Sequence, residues 1–200
     1  MLRLLIATNN RGKLHELLPL LGALPLHLVT PHDLGLHLEV EETGTTYAEN
    51  ARLKAAAFAQ ASGLLTLADD SGLEVDALGG APGIYSARYA GEGASDADRR
   101  ARLIHALRAV PAPRPARFRC VMAIAQPGGA MDDFAGICAG EIILEERGAR
   151  GFGYDPLFFL PEHDCTMAEL PSAIKNQVSH RARAAQAALP FLHQLATACA

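Results

Sequence analysis

Residues 2–21, LRLLIATNNRGKLHELLPLL, set an apolar run against a polar elbow and then a leucine stripe. That order commits the chain to a strand, a short loop and a helix packed on a sheet. Leu14, Leu17, Leu18 and Leu21 fall at i, i+3, i+4 and i+7, the spacing of one helix face. Pro19 lacks the N–H that would bond residue 15, which predicts a bend or an early end there, and Gly22 predicts the stop.

The same alternation runs on. A strand is expected around LPLHLV, and in EETGTTYAENARLKAAAFAQASG the spacing of Thr46 and Glu49 is that of a capping box ahead of an alanine-rich helix. Asn50 and Lys54 share a face of that helix. LLTLADDSGLEVDAL reads as an apolar strand ending in the carboxylates Asp69 and Asp70, and GGAPGIYSARYAGEGAS as a long glycine-rich loop. Ser95 and Asp98 are placed to cap a helix carrying Leu103, Ile104 and Leu107, followed by the proline-rich loop VPAPRPA. RFRCVMAIAQPGGAMDDFAGICAGEIIL reads as a hairpin around Pro-Gly-Gly, RGARGFGYDPLFFLPE as a second glycine-rich loop, and a last helix follows VSH. With no internal repeat, this is a mixed α/β chain with parallel and hairpin-linked strands, one domain over residues 1–200.

Composition narrows the function. Half the residues are hydrophobic and 20% are charged, enough for one sizeable core. A net charge of -4 argues against a protein that coats nucleic acid. Cys120, Cys138, Cys165 and Cys199 lie far apart with no C-x-x-C pair, so reduced thiols are expected rather than a zinc site or disulfides. The apolar N-terminal run is too short for a signal sequence or a membrane span, and a cytoplasmic protein is expected, with no membrane partner.

Three places carry candidate chemistry. The elbow at Thr8–Lys13 opens a helix, where unpaired backbone N–H groups and the positive end of the dipole suit a phosphate, with Asn10 and Lys13 adding donors. It is not a Walker A loop. Asp69 and Asp70, followed by Ser71, offer hard oxygen ligands of the kind that hold Mg2+ together with substrate phosphates, and Glu41 and Glu42 offer more. GFGYDP and KNQVSHR supply Phe152 and Tyr154 to stack on a flat ring, and Asp155, Lys175, His180 and Arg181 to bond ring edges or phosphates. The chain has only three lysines, Lys13, Lys54 and Lys175, and each lies inside one of these motifs.

Taken together, the blocks IATNNRGK, EETGTTYAENARLKA, ADDSGLEVDALGGAPGIYSARYAG, ARFRC, GFGYDPLFF, MAEL and KNQVSHR resemble the inosine triphosphate pyrophosphatase family. The resemblance implies a mixed, bent sheet flanked by helices, two lobes with a nucleotide cleft between them, and a homodimer. It further implies Mg2+-dependent hydrolysis of ITP, dITP and XTP to the monophosphate and pyrophosphate. On this chain it implies that Thr8, Asn9, Asn10, Arg11, Gly12 and Lys13 hold the triphosphate, that Asp70 binds metal and acts as general base with Lys13 and Lys54 beside it, and that Ser71 touches substrate. It likewise implies that Phe152, Gly153, Tyr154, Asp155, Lys175, His180 and Arg181 grip the nucleotide, and that Glu41 or Glu42 joins the metal.

The alternatives are a Maf-type nucleotide pyrophosphatase of other base preference, which the SHR and GFGYDP blocks disfavour, and a catalytically silent nucleotide-binding module, which the intact Asp70, Lys13 and Lys54 disfavour. An RNA-binding role lacks an aromatic and basic platform.

Overall fold

The computed structural model describes residues 1–198. It is a mixed α/β fold: seven strands form one sheet in the order β2-β1-β3-β4-β5-β6-β7, flanked by helices. The strands are β1 Arg3–Ile6, β2 His27–Val29, β3 Leu65–Val75, β4 Pro115–Ala125, β5 Met131–Ile142, β6 Phe158–Leu160 and β7 Cys165–Thr166. The helices are α1 Arg11–Leu21, α2 Tyr47–Ser62, α3 Asp96–Leu107, α4 Ser172–Val178 and α5 His180–Ala198. No helix among the described residues is long and apolar enough to cross a membrane.

The chain divides into two compact units, and β3, β4 and β5 contribute residues to both. The first holds residues 1–70 and 120–136 and the chain from His180 on. In it β1 pairs in parallel with β2, Arg3 opposite His27, and with β3, Leu4 opposite Leu65. Because strand side chains alternate, Leu4, Ile6, Leu65, Leu67, Met122 and Ile124 face one way. Leu17 and Leu21 of α1 and Ala184, Ala188 and Leu192 of α5 cover them. Leu5, Ala7, Ala68, Ala123 and Ala125 face the other way, onto Ala51, Ala55 and Phe58 of α2. Small alanines on both partners let α2 lie close to the sheet, and burial of such apolar surface contributes roughly 25 cal/mol per Å2.

The second unit holds residues 71–119 and 137–179. Its strands run antiparallel at β5–β6, Glu141 opposite Phe159, and at β6–β7, Phe159 opposite Thr166. Leu73, Leu103, Leu107, Phe118, Phe158 and Met167 form its core, with the Phe118 and Phe158 ring centroids 4.4 Å apart.

Several expectations meet the structure directly. The capping boxes at Thr46/Glu49 and Ser95/Asp98 are both formed, and Gly22 follows the last residue of α1. Pro19 does not end α1, which continues to Leu21. Pro19 is exposed, so the carbonyl left without its N–H partner can turn to water. The turn between β4 and β5 closes where Gln126 N–H donates to Ala130 O at 2.8 Å. Cys120, Cys138 and Cys165 are free thiols, and Cys199 lies outside the described residues. Two expectations need correction. Helix α4 was not expected, and Asp69 and Asp70 do not end a strand: β3 runs on through Ser71 and Gly72 to Val75.

Candidate active site

The elbow forms as a capped helix start. Asn10 has an extended backbone and its side-chain oxygen accepts from Lys13 N–H at 3.1 Å, while Thr8 Oγ1 accepts from Asn10 N–H at 3.2 Å. Asn9 and Arg11 are exposed beside Gly12, at the end where N–H groups lie beyond intrahelical bonding. Lys13, one turn in, reaches back to the sheet. Its Nζ lies 3.0 Å from Asp69 Oδ2 and donates to Asp69 O at 3.3 Å.

Asp69 and Asp70 sit in mid-strand because each carboxylate finds cations or donors, which overrides the poor strand propensity of aspartate. Asp69 shares the face of Leu65 and Leu67, toward α1 and α5. There Arg181 donates to its Oδ2 from Nε at 3.3 Å and from Nη2 at 3.2 Å, and from Nη1 to Glu16 Oε2 at 2.5 Å. Asp70 shares the face of Ala68, toward α2. Asn50 Nδ2 donates to its Oδ2 at 3.3 Å, and Lys54 Nζ lies 3.7 Å from its Oδ1 and 2.6 Å from Glu42 Oε1.

The two faces treat their carboxyl groups oppositely. Burial pushes Asp69 up, but Lys13, Arg181 and Lys54 outweigh it and hold the group well below the usual carboxylate range. Burial also pushes Asp70 up, and here it prevails: Glu42 and Asp69 add to it, and Lys54 and Lys13 only partly oppose. Lys54 is held above its ordinary value, the pull of Asp70, Asp69 and Glu42 overcoming burial.

In the second unit, Asp155 Oδ2 accepts from Phe152 N–H at 2.9 Å and from Lys175 Nζ at 2.6 Å. Lys175 Nζ stands 5.5 Å from the Phe152 ring centroid. The glycines around Phe152 are there for room and for backbone shape: at Gly151, φ is +76° and a Cβ would lie 2.0 Å from Asp155 Oδ2. Gly153 N–H donates to Asp96 Oδ2 at 2.7 Å, and Arg100 Nη1 donates to Gly153 O at 3.0 Å, so the start of α3 pins this loop.

Within the first unit the structure brings together Lys13, Lys54, Asp69, Asp70, Glu42 and Arg181, and within the second Phe152, Asp155 and Lys175. Ser71 follows Asp70 on β3, half-buried, and His180 is the buried first residue of α5. Of the two glutamates, Glu42 bonds Lys54 whereas Glu41 is exposed. Two residues differ from expectation. Tyr154 does not offer its ring to a ligand: it is buried in the core and donates its hydroxyl to Ser86 O at 2.9 Å. The Arg181 guanidinium is only 1% exposed and engages Asp69 and Glu16 instead of opening to solvent.

Glu16 escaped the sequence reading of the site, while Asn50 entered it only as the neighbour of Lys54 on one helix face and Gly151 only as part of GFGYDP. Glu16 carried a signal, since it lies three residues after Lys13 and next to Leu17, on the helix side that must be buried.

Residues 4–191 match the Ham1 family. The chain is 50% identical over 195 residues to the dITP/XTP pyrophosphatase of Desulforamulus reducens, covering 97% of each chain. It is 52% identical over 185 residues to that of Geobacter sulfurreducens, covering 92% of this chain and 93% of the other. The solved structure of a HAM1 protein from Coxiella burnetii superposes with a TM-score of 0.84 at 42% identity, covering 100% of this chain and 98% of that one.

Proposed function

The chain belongs to the Ham1 family, and we propose from that premise that it hydrolyses purine nucleoside triphosphates carrying non-standard bases, dITP, ITP and XTP, to the monophosphate and pyrophosphate. The observation that carries the reading is the split doublet: Asp69 is held by Lys13 and Arg181 on one face of β3, and Asp70 meets Asn50 and the Lys54–Glu42 pair on the other.

A divalent cation fits the donor set. Asp70 and Glu42 place hard, acceptor-only carboxylate oxygens on either side of Lys54, two anions around one ammonium. Among the described residues no three His, Cys, Asp or Glu side chains converge as a metal site, so Mg2+ would take its remaining ligands from water and phosphate oxygens. When bound, it would neutralise charge on the phosphates and favour attack at phosphorus.

The chain's own groups then divide the work. Asn10 and the first turn of α1 bind phosphate oxygens, with the Lys13 ammonium held beside them by Asp69. Asp70 takes the proton of a water whose oxygen bonds the α-phosphorus as the bond to the bridging oxygen breaks and pyrophosphate departs. Lys54 steadies charge growing on the phosphoryl oxygens. Phe152 offers a face for the purine, and Lys175 beside it offers a donor to a 6-oxo group. Adenine, with a 6-amino group, would leave such a donor unpaired at about 1–3 kcal/mol.

A homodimeric, cytoplasmic enzyme that cleanses the nucleotide pool completes the proposal. Hydrolysis of ITP in oxygen-18 water tests the site of attack. Label in the monophosphate supports it, and label in pyrophosphate refutes it.

A further inference from the structure

Asn50 has no exposed surface, yet it carries no part of the chemistry above. Its Oδ1 accepts from Gly44 N–H at 2.8 Å and its Nδ2 donates to Asp70 Oδ2 at 3.3 Å. Because a backbone N–H only donates, the amide is oriented without ambiguity: oxygen to the loop, NH2 to the carboxylate. Gly44 belongs to the contact as well. A Cβ there would lie 2.7 Å from Asn50 Oδ1 and 2.6 Å from the Glu49 Cβ.

Gly44 follows Glu42 by two residues, and Lys54, one turn beyond Asn50 on α2, bonds Glu42 itself. Two side chains of one helix therefore tie the Glu42 segment to Asp70, Lys54 through charge and Asn50 through a bond at each end of its amide. Helix formation does not explain the choice, since asparagine is a mediocre helix former. A buried amide satisfied at both ends instead fixes what it touches.

We propose that Asn50 is a positioning residue that holds Asp70 and the Glu42 segment in register, so that the two carboxylates are preorganised as a pair for a divalent cation. The proposal rests on the reading of Asp70 and Glu42 given above. Misplacing a catalytic group by about 1 Å costs up to a hundredfold in rate.

The test compares wild type, Asn50→Ala, Gly44→Ala and the double variant. It measures Mn2+ binding to nucleotide-free protein by calorimetry, kcat and KM for ITP with Mg2+, and the thermal midpoint. Gly44→Ala disturbs the contact while keeping the buried amide, so it reports on the clamp even where Asn50→Ala folds poorly. Each single variant is expected to bind Mn2+ more weakly and to lose about tenfold to a hundredfold in kcat, with KM changed less than about threefold. The double variant should be no worse than the poorer single one, since both break one contact. A lowered midpoint with wild-type Mn2+ affinity and kcat would overturn the proposal, and so would losses that multiply in the double variant. Failure of the wild type to release pyrophosphate from ITP would refute the functional reading instead, while the Mn2+ titrations would still judge the clamp.

Discussion

Asp69 and Asp70 are neighbours on β3 whose carboxylates leave the strand on opposite faces, Asp69 3.0 Å from Lys13 Nζ and Asp70 3.7 Å from Lys54 Nζ. Two residues of one type thereby acquire different tasks. Asp69 is ringed by the cations Lys13 and Arg181, and Asp70 is the group to which the proposed mechanism gives the chemistry.

Replacing each by asparagine separates the tasks. Asp70→Asn removes a carboxylate that burial disfavours, so the thermal midpoint is expected to hold or rise while turnover falls about a thousandfold. Asp69→Asn leaves Arg181 and Lys13 without their shared anion and should destabilise the fold by about 3–5 kcal/mol. Calorimetry and steady-state rates on both variants check this, and equal destabilisation by the two would sink it.

Gly151→Ala strains a backbone at φ +76° by roughly 1–2 kcal/mol. It also pushes Asp155 from Lys175 and the Phe152 N–H. KM for ITP is expected to rise about tenfold or more with kcat less affected, because ground-state and transition-state grip on the base are lost together. An unchanged KM would show that the Phe152 platform does not bind the base.

Asn10→Ala removes the side-chain cap on Lys13 N–H and should cost about 1 kcal/mol of stability. Denaturant titration measures it, and no loss would mean that water replaces the cap fully.

Glu74 supplies a pH test remote from these groups. Its carboxylate accepts from Arg117 Nε at 2.6 Å and Arg119 Nε at 2.9 Å, and these bonds outweigh burial and hold it below its ordinary value of 4.5. A depressed carboxyl stabilises the fold above its unfolded value, and the contribution disappears as pH falls through the folded one. Wild type should therefore melt above Glu74→Gln at about pH 7, with the gap closing below about pH 4. A gap independent of pH would contradict the linkage.

Much of this was readable from the chain. Helix α1, both capping boxes and the Pro-Gly-Gly turn follow from local rules, and they formed, although of the expected stripe only Leu17 and Leu21 are buried while Leu14 is half-buried and Leu18 exposed. The depth of Asp69 and Asp70 did not follow, because a DDSG run reads locally as a strand end. Lys13, Arg181, Lys54 and Asn50, distant in sequence, make mid-strand carboxylates tolerable. The burial of Arg181 did not follow for the same reason: its partners Glu16 and Asp69 come from α1 and β3, and no spacing rule links them to it. Tyr154 sat in a glycine-rich motif suited to a ligand, but its hydroxyl bond to the Ser86 carbonyl comes from a loop 68 residues away.

The most direct test incubates the purified protein and Mg2+ with ITP, dITP, XTP, GTP, ATP and dTTP, assaying pyrophosphate and orthophosphate separately. Pyrophosphate from ITP, dITP and XTP, with ATP, GTP and dTTP nearly untouched, is the expected result. Orthophosphate as the product, or equal hydrolysis of ATP and ITP, would contradict the account.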